Sequence, residues 1–409
     1  MNKVPNSERK HIAFIGRRNV GKSSLINALT GQDISIVSQT PGTTTDPVKK
    51  AIELLPYGPV VLVDTAGIDD VGELGQQRIT KTFKIISSID LAIVVLDARE
   101  RLSTEEIELF IYLDSIKVPY ILAVNKIELG VNPLLLEDIK DFNTVHYEIS
   151  VKEKVGIDEL RTKIIRALPR DDDNSLIGDL VQPGDVVVMV VPIDLGAPKG
   201  RLILPQVQTI REALDEDAVV IVVKDRELKE ALDKLKNPPQ LVITDSQAIM
   251  KVAAVVPASV KLTTFSIIMA RYKGDLPAFV QGLKRVDELK DGDKILIAEA
   301  CSHHAQSDDI GRIKIPKWLR EYTHKNLVFE VYSGLDFPED VSKYKMIIHC
   351  GGCMMTRQVM QKRIKEVKLL NIPIVNYGVL ISYLHGAMPR TIEPFEEAVT
   401  TWKKLVSLN

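Results

Sequence analysis

The sequence predicts an α/β protein in which a P-loop domain, with a doubly wound and mostly parallel sheet, precedes two further α/β domains. Three observations support this fold class. A G-x-x-x-x-G-K-S loop, Gly16 to Ser23, lies between an apolar strand and a helical segment. Five apolar runs of strand length recur at βα spacing over residues 1–169. Beyond a charged linker, apolar strands and amphipathic stretches alternate again through the rest of the 409 residues.

The composition describes an ordinary globular chain without a strong charge bias. Hydrophobic residues make up 45% of it, and 53 basic residues face 55 acidic ones, for a net charge of -2. This balance argues against a large nucleic-acid surface. The apolar runs are well below the roughly 18 residues that span a bilayer, and the polar start lacks a signal-peptide core. Since three cysteines cannot form a disulfide framework, we expect a cytoplasmic protein.

The P-loop supplies the groups that bind the phosphates of a nucleotide. Its glycines let backbone N–H groups surround the phosphates, and the following helix adds its N-terminal dipole. Lys22 would neutralise the β- and γ-phosphates, and Ser23 would ligate Mg²⁺. The predicted set in this loop is Gly16, Asn19, Val20, Gly21, Lys22, Ser23 and Ser24.

Two further motifs follow the P-loop in the order that a guanine-nucleotide site requires. One strand ends in D-x-x-G, where Asp64 would hold Mg²⁺ through water and the amide of Gly67 would sense the γ-phosphate. A later strand ends in a base-reading loop, and a last loop would touch the guanine carbonyl through its backbone. The predicted residues of these two loops are Asn125, Lys126, Glu128, Ser150, Val151 and Lys152. The motifs together predict a GTPase that binds GTP, GDP and Mg²⁺.

Glu128 departs from the aspartate that usually ends the N-K-x-D motif. A carboxylate is needed there to accept from guanine N1–H and N2–H₂. Glutamate can accept both bonds, but its extra methylene requires a small shift of the loop. We therefore expect guanine preference, with the affinity left open.

Residues 1–169 resemble the tRNA-modification and ribosome-assembly branch of translation-factor-related GTPases. The switch motif of that branch, P-G-T-T-x-D, stands at residues 41–46, with Thr44 matching the threonine that closes on Mg²⁺ and the γ-phosphate. Asn19 matches the asparagine that coordinates K⁺, and Ile68 replaces the water-orienting glutamine of Ras-like enzymes. The resemblance implies slow GTP hydrolysis, stimulated by K⁺ more than by Na⁺. The predicted catalytic residues are Lys22, Thr44, Asp64 and Gly67.

A polar, charged linker at residues 169–175 separates this domain from a second one at residues 176–262. Apolar strands and helical stretches alternate there, which predicts a small α/β domain with a partly parallel sheet. It has neither cysteine nor histidine. We interpret it as a dimerisation domain that makes the protein a homodimer.

All three cysteines fall in the third predicted domain, residues 265–409. One predicted strand leads into Cys301 and His303, and another leads into Cys350 and Cys353. The carboxyl ends of strands in an open α/β sheet form its binding crevice. Thiolates favour iron–sulfur clusters, zinc or copper(I), and three are one short of the usual four for a cubane. A Cys₃His zinc site and a Cys350–Cys353 redox pair are the alternatives on these residues.

The order C-x-H, 45 residues, then H-C-x-x-C, downstream of a GTPase domain, resembles the [FeFe]-hydrogenase maturation GTPase family (HydF) over the full chain. The resemblance implies a [4Fe–4S] cluster on Cys301, Cys350 and Cys353. The candidates for the fourth iron position are His303, His349, Asp308, Asp309 and an exogenous ligand such as water.

That resemblance also implies a carrier function. The protein would hold a diiron precursor beside the cluster and deliver it to apo-[FeFe]-hydrogenase, with two radical-SAM maturases as further partners. The alternative is a tRNA-modification or ribosome-assembly GTPase with a structural zinc site, which predicts RNA binding and a colourless metal site. Membrane association is not expected, and nucleic-acid binding is disfavoured by the charge balance.

Overall fold

The computed structural model describes residues 9–30, 48–69, 82–83, 85–86, 88–142, 144–169, 175–192, 202–300, 309–334, 336–338 and 340–407. The chain divides into two compact units, Met1–Asp171 and Asp172–Asn409. Four predicted residues lie outside the described ranges: Thr44, Cys301, His303 and Asp308.

The first unit is built on a six-stranded sheet in the order β2-β3-β1-β4-β5-β6. Its strands are β1 (Lys10–Ile15), β2 (Val48–Leu54), β3 (Gly58–Asp64), β4 (Leu91–Asp97), β5 (Tyr120–Asn125) and β6 (His146–Glu148). β2 pairs antiparallel with β3, and the other neighbours are parallel. Its described helices of α type are α1 (Lys22–Thr30), α2 (Thr104–Ile116), α3 (Pro133–Lys140) and α4 (Ile157–Ala167).

This sheet is covered on both faces, which explains why its central strands are continuous apolar runs. Ile12 and Phe14 of β1 belong to one buried core, and Ala13 and Ile15 belong to a second core on the opposite face. The predicted doubly wound, mostly parallel sheet is confirmed. The sheet has six strands, whereas five were expected. The additional strand is the edge strand β2, whose mixed polar and apolar residues do not form an apolar run.

The second unit contains two four-stranded sheets, ordered β10-β9-β7-β8 and β12-β11-β13-β14. The strands are β7 (Val186–Val190), β8 (Val219–Val223), β9 (Leu241–Thr244), β10 (Lys261–Thr264), β11 (Lys294–Glu299), β12 (Val328–Ser333), β13 (Met346–His349) and β14 (Ile374–Asn376). All their pairings are parallel. The middle sheet is therefore wholly parallel rather than partly so, since helices connect its described strands on the way from one strand to the next.

Ten described helices of α type pack around these two sheets. They are α5 (Leu204–Asp215), α6 (Leu228–Asp233), α7 (Ile249–Val255), α8 (Phe265–Lys273), α9 (Leu276–Gly282), α10 (Lys284–Asp287), α11 (Ile315–Thr323), α12 (Arg357–Leu369), α13 (Tyr377–Leu384) and α14 (Glu396–Val406). One buried core runs through the unit and includes Met189 of the first sheet, Ile297 of the second and Ile267 of α8. Among the described helices, none has the length and apolar character needed to cross a bilayer.

Candidate functional site

The P-loop joins the end of β1 to the start of α1 and has the backbone shape that phosphate binding needs. Gly21 has a φ of +102°, and a Cβ at this position would lie 2.4 Å from Nδ2 of Asn125, so only glycine fits. The buried ammonium of Lys22 donates to the carbonyl oxygens of Gly16 and Arg17 at 2.9 and 2.7 Å. The ammonium of Lys22 thus lies over the loop. The oxygens of a bound phosphate would compete with these two carbonyls for its hydrogen bonds.

Ser23 and Asp64 meet beside this loop in an arrangement that fits Mg²⁺. The hydroxyl of Ser23 donates to Oδ2 of Asp64 at 2.5 Å. The other carboxylate oxygen, Oδ1, is buried without a hydrogen-bond partner in the described part of the chain. Burial raises the pKa of Asp64, and Ser23 and Lys22 oppose that rise. An unsatisfied buried carboxylate oxygen next to a hydroxyl is the oxygen-rich setting that Mg²⁺ prefers.

The base-reading segments are tied to the P-loop through Asn125. Its Nδ2 donates to the carbonyl of Val20 at 2.8 Å, and its Oδ1 accepts from the amide of Val151 at 3.1 Å. Lys126 donates from Nζ to the carbonyl of Asn19 at 2.6 Å. Three segments that are far apart in sequence therefore lie side by side, as a nucleotide pocket would require.

Glu128, which the sequence predicts to read the guanine base, has one carboxylate oxygen that remains able to accept hydrogen bonds. Its Oε2 is buried and lacks a hydrogen-bond partner among the described residues. The hydroxyl of Ser150 is the main cause of a lowered pKa for the Glu128 carboxyl. The glutamate is therefore ionised at neutral pH and able to accept hydrogen bonds from the base.

Replacing Glu128 by alanine is expected to weaken GTP binding by about ten- to a hundredfold. A hydrogen bond to a charged group contributes about 1.5–3 kcal/mol, and 1.4 kcal/mol corresponds to tenfold in affinity. Titration calorimetry with GDP, GTP and ATP measures the effect, which should be confined to the guanine nucleotides. Glu137→Ala, an exposed glutamate on α3, is the matched control. Unchanged GTP affinity in the Glu128 variant would show that this carboxylate does not read the base.

Several residues of this pocket were missed by the sequence-based prediction. Asp97, at the end of β4, accepts from Lys126 at 2.8 Å, and Arg99 and Lys126 hold its pKa well below the usual value. A carboxylate at the end of a buried parallel strand is a signal that the sequence does contain. Glu106 is fully buried and accepts from Nε of the P-loop residue Arg17 at 3.0 Å. Its capping box with Ser103 is visible in the sequence, but its long-range pairing is not.

The D-x-x-G segment packs directly on the P-loop. A Cβ on Gly67 would lie 2.4 Å from Cγ of Arg18, and Oδ1 of Asp69 accepts from the Arg18 amide at 2.8 Å. Ile68 is buried, and its amide donates to the carbonyl of Gly16 at 3.3 Å. The residue in the position of the water-orienting glutamine is thus an apolar side chain turned into the core.

The cysteine segments leave two neighbouring strands of the second unit. β11 and β13 are parallel, with Ala298 opposite His349. The amide of Ala300, the residue before Cys301 in sequence, donates to Sγ of Cys350 at 3.0 Å. The Gly352 amide points at the same sulfur from 3.4 Å. The two strands that precede the cysteine motifs therefore end side by side, and two backbone donors are directed at one thiolate position.

His349 is engaged at both ring nitrogens. The guanidinium of Arg363 donates to Nε2 at 3.1 Å, so Nδ1 carries the proton and donates to the carbonyl of Cys350 at 2.9 Å. Burial is the main cause that lowers the pKa of His349 to about 3, and the Arg363 charge adds to it. His349 is a neutral, fully buried side chain that shapes the cysteine loop from below.

Asp309 and Glu299 stand at the two ends of the segment that contains Cys301. Asp309 caps the turn that follows it, accepting from the amide of Arg312 at 2.8 Å. Arg312 in turn donates to the buried Glu299 at 2.9 Å, and Ser333 donates to the same carboxylate at 3.2 Å. The described residues alone do not bring three histidine, cysteine or acidic side chains together as a metal site. Cys301 and His303 lie outside the described ranges.

Three successive segments of the chain match known protein families. Residues 11–126 match a 50S ribosome-binding GTPase family. Residues 176–274 match the hydrogen maturase F dimerization domain, and residues 277–394 match the hydrogen maturase F tetramerization domain.

Individual relatives match mainly through the first unit. The tRNA modification GTPase MnmE of Thermoanaerobacter sp. (strain X514) is 37% identical over 163 residues, which are 39% of this chain and 35% of MnmE. GTPase Der of Ligilactobacillus salivarius is 33% identical over 215 residues, 50% of this chain and 48% of Der. This chain thus spans a third to a half of those proteins. Among solved structures, Aquifex aeolicus Era bound to GDP·AlF₄⁻ aligns with 52% of this chain and 92% of its own, at 21% identity and a TM-score of 0.35.

The phosphate loop, the Ser23–Asp64 pair and the matched domain define the first unit as a P-loop GTPase. Beyond it, two consecutive domains of one family together cover just over half of the chain. The chain belongs to the hydrogen maturase F family.

Proposed function

We propose that this protein is a GTPase scaffold of [FeFe]-hydrogenase maturation, which holds a diiron precursor beside a [4Fe–4S] cluster and delivers it to apo-hydrogenase. The observation that carries the proposal is the hydrogen bond from the Ala300 amide to Sγ of Cys350. It places the residue before Cys301 against the Cys350-x-x-Cys353 loop at the carboxyl ends of two parallel strands. The two hydrogen maturase F domains support the biological role.

The donor set fits an iron–sulfur cluster. Cys301, Cys350 and Cys353 would hold it, and the side chains of Cys350 and Cys353 are half-buried. Amides aimed at a ligating sulfur stabilise its negative charge and tune the site. When bound, the cluster would supply a labile iron position at which the precursor can be held. The cargo and its transfer to the apo-hydrogenase remain part of this proposal.

For the fourth iron position, the contacts of the described candidates narrow the choice. His349 already uses both ring nitrogens, and Asp309 uses one carboxylate oxygen to cap its turn. Ligation by His349 would therefore break an existing hydrogen bond, whereas Asp309 could ligate through its second carboxylate oxygen and keep its cap. We favour His303, Asp308, Asp309 or an exogenous ligand, and of these a water would leave the position exchangeable.

GTP hydrolysis is proposed to depend on a monovalent cation as well as Mg²⁺. Asn19 lies in the left-handed backbone region, at a φ of +60°, on the exposed rim of the P-loop. Its carbonyl is fixed by Lys126 at 2.6 Å, which leaves the side chain available for a cation. The nucleotide state would bias docking of the maturases and the hydrogenase through the switch segments around Thr44 and Gly67, as a population shift.

The rate of GTP hydrolysis is expected to be higher in KCl than in NaCl at equal ionic strength. A cation in this position would replace an arginine finger, whose effect on the rate reaches about 10³–10⁵-fold. Phosphate release at saturating GTP measures the difference, and Asn19→Ala should remove most of it. Equal rates in the two salts would contradict a role for K⁺.

The homodimer is proposed to form through the edge strand β8. Val219 and Val222 of this strand are 52% and 45% exposed, and among the described strands β8 has a paired neighbour on only one side. An exposed apolar edge strand is prone to pair with another chain. Val222→Lys is expected to convert dimers to monomers in light scattering after size exclusion. Val145→Lys, at a valine of the first unit that is 61% exposed, should leave the mass unchanged. A dimeric Val222 variant would place the contact elsewhere.

The scaffold proposal is tested by anaerobic purification followed by reconstitution with iron and sulfide. A broad absorption band near ~400 nm and a cluster signal in the reduced EPR spectrum are expected. The reconstituted protein, loaded by the two maturases, should then activate apo-[FeFe]-hydrogenase. A colourless protein that retains stoichiometric zinc and binds RNA tightly would overturn the proposal in favour of an RNA-linked GTPase.

A further inference from the structure

The loop that carries Cys350 and Cys353 rests on helix α8, which precedes it by about eighty residues. α8 begins where the side chain of Thr264 accepts from the Ile267 amide at 3.2 Å. A Cβ on Gly351 would lie 3.6 Å from Oγ of Ser266 and 3.8 Å from Cβ of Met269, which is ordinary packing distance. Ser266, Met269 and Lys273 are spaced so that they share one face of the helix. That face forms the floor of the cysteine loop.

Lys273, the last residue of α8, is 1% exposed. Its ammonium donates to the carbonyl oxygens of Gly352, Cys353 and Met355 at 3.4, 3.3 and 2.9 Å. An ammonium group has three donors, and these three loop carbonyls all lie within hydrogen-bond distance of it. A buried charge is costly unless its hydrogen bonds are made, so the loop backbone and this lysine stabilise each other.

The position of Lys273 is itself fixed from α12. Nε2 of Gln361 donates to the carbonyl of Lys273 at 3.1 Å and to that of Gly274 at 2.7 Å. The end of α8 is thereby held by the helix that follows the cysteine loop. Lysine near a helix carboxyl terminus is also favoured by the helix dipole. Helix, lysine and loop therefore form one rigid assembly.

We infer that Lys273 is a positioning residue of the cysteine site, which fixes the Cys350-x-x-Cys353 loop in its ligating shape and brings a positive charge to a site of anionic thiolates. The cluster part of this inference rests on the proposed scaffold function. The anchoring of the loop does not, since it depends only on the hydrogen bonds between Lys273 and the loop carbonyls. Lys273 lies among the residues matched by the dimerization domain, whereas the loop lies in the tetramerization domain. The cysteine site is therefore built by both.

The test compares Lys273→Met, which keeps the length of the side chain and removes the charge, with Lys273→Gln, which keeps donors without charge. In the metal-free full-length protein, amide hydrogen exchange over residues 351–356 should rise at least about tenfold in Lys273→Met and less in Lys273→Gln. After reconstitution, both variants should lose iron to a chelator about ten- to a hundredfold faster, the usual effect of removing a supporting residue around a metal site. Their cluster reduction potentials should also be lower than that of the wild type. Lys284→Met, an exposed lysine of α10, should match the wild type in every measurement.

The outcomes separate this inference from the scaffold proposal. Wild-type loop exchange together with wild-type iron release in both Lys273 variants would overturn the inference while leaving the scaffold intact. A wild-type protein that assembles no cluster would overturn the scaffold and the electrostatic role of Lys273 together. If Lys273→Met fails to fold, as judged by circular dichroism, the amide exchange and iron release of Lys273→Gln decide whether the inference holds.

Discussion

Replacing Cys350 by alanine is expected to abolish the absorption band near ~400 nm and most of the protein-bound iron, while GTP hydrolysis persists. Sγ of Cys350 is the atom on which the amides of Ala300 and Gly352 converge, at 3.0 and 3.4 Å. Removing it deletes one of three thiolates and leaves two inward-facing donors without an acceptor. Because the side chain is small and only half-buried, the metal-free fold should survive.

The matched control for this change lies in the same loop. Met354 is 56% exposed, and Met354→Ala should reconstitute like the wild type. Iron and sulfide analysis, the absorption spectrum and reduced EPR are measured on both variants beside the wild type. A Cys350→Ala protein with full iron content and an unaltered EPR signal would place the cluster elsewhere.

Replacing Lys22 by methionine is expected to lower the rate constant of GTP hydrolysis by about 10²–10³-fold, which is typical for loss of one preorganised group that stabilises transition-state charge. The ammonium is buried and already held over the loop by the carbonyls of Gly16 and Arg17. Methionine fills similar space but cannot neutralise the phosphates. Single-turnover phosphate release measures the rate, and nucleotide titration separates loss of binding from loss of chemistry.

Lys140→Met, at the exposed end of α3, is the control for the loss of a lysine and should hydrolyse GTP normally. The Lys22 variant should assemble the iron–sulfur cluster as the wild type does, because the two sets of residues belong to different compact units. We expect Cys350→Ala to lose iron and keep GTP hydrolysis, and Lys22→Met to lose GTP hydrolysis and keep iron. These two results together would establish two independent sites. Unimpaired hydrolysis in Lys22→Met would contradict the assigned role of the P-loop lysine.

The grouping of the predicted nucleotide-binding motifs could be foreseen because each motif is contiguous and follows a buried strand. The P-loop and Asn125 are in contact, as the motif order implied. Pairings between distant segments were not predictable: Glu106 contacts Arg17 across 89 positions, and its sequence neighbourhood indicates only a helix cap. The edge strand β2 was missed since its charged residues mask the apolar alternation.

In the second unit, the strands before the cysteine motifs were predicted from their apolar runs, and the structure pairs them as parallel neighbours. The supporting residues were not identified. Arg363 lies in a helix rich in basic residues, yet its side chain is buried against His349. Lys273 lies far from the cysteines in sequence, and burial of a lysine follows from tertiary contacts that local pattern cannot reveal.

The packing of α8 beneath the cysteine loop limits how this chain can be cut into independent fragments. The two domains that sequence comparison separates between residues 274 and 277 share both a buried core and the backing of the cysteine loop. A fragment that begins after residue 274 would carry Cys350 and Cys353 without the lysine that orders their loop. We therefore expect that the second unit has to be transferred as a whole, and that the cysteine-bearing segment alone would not carry the proposed iron site to another protein.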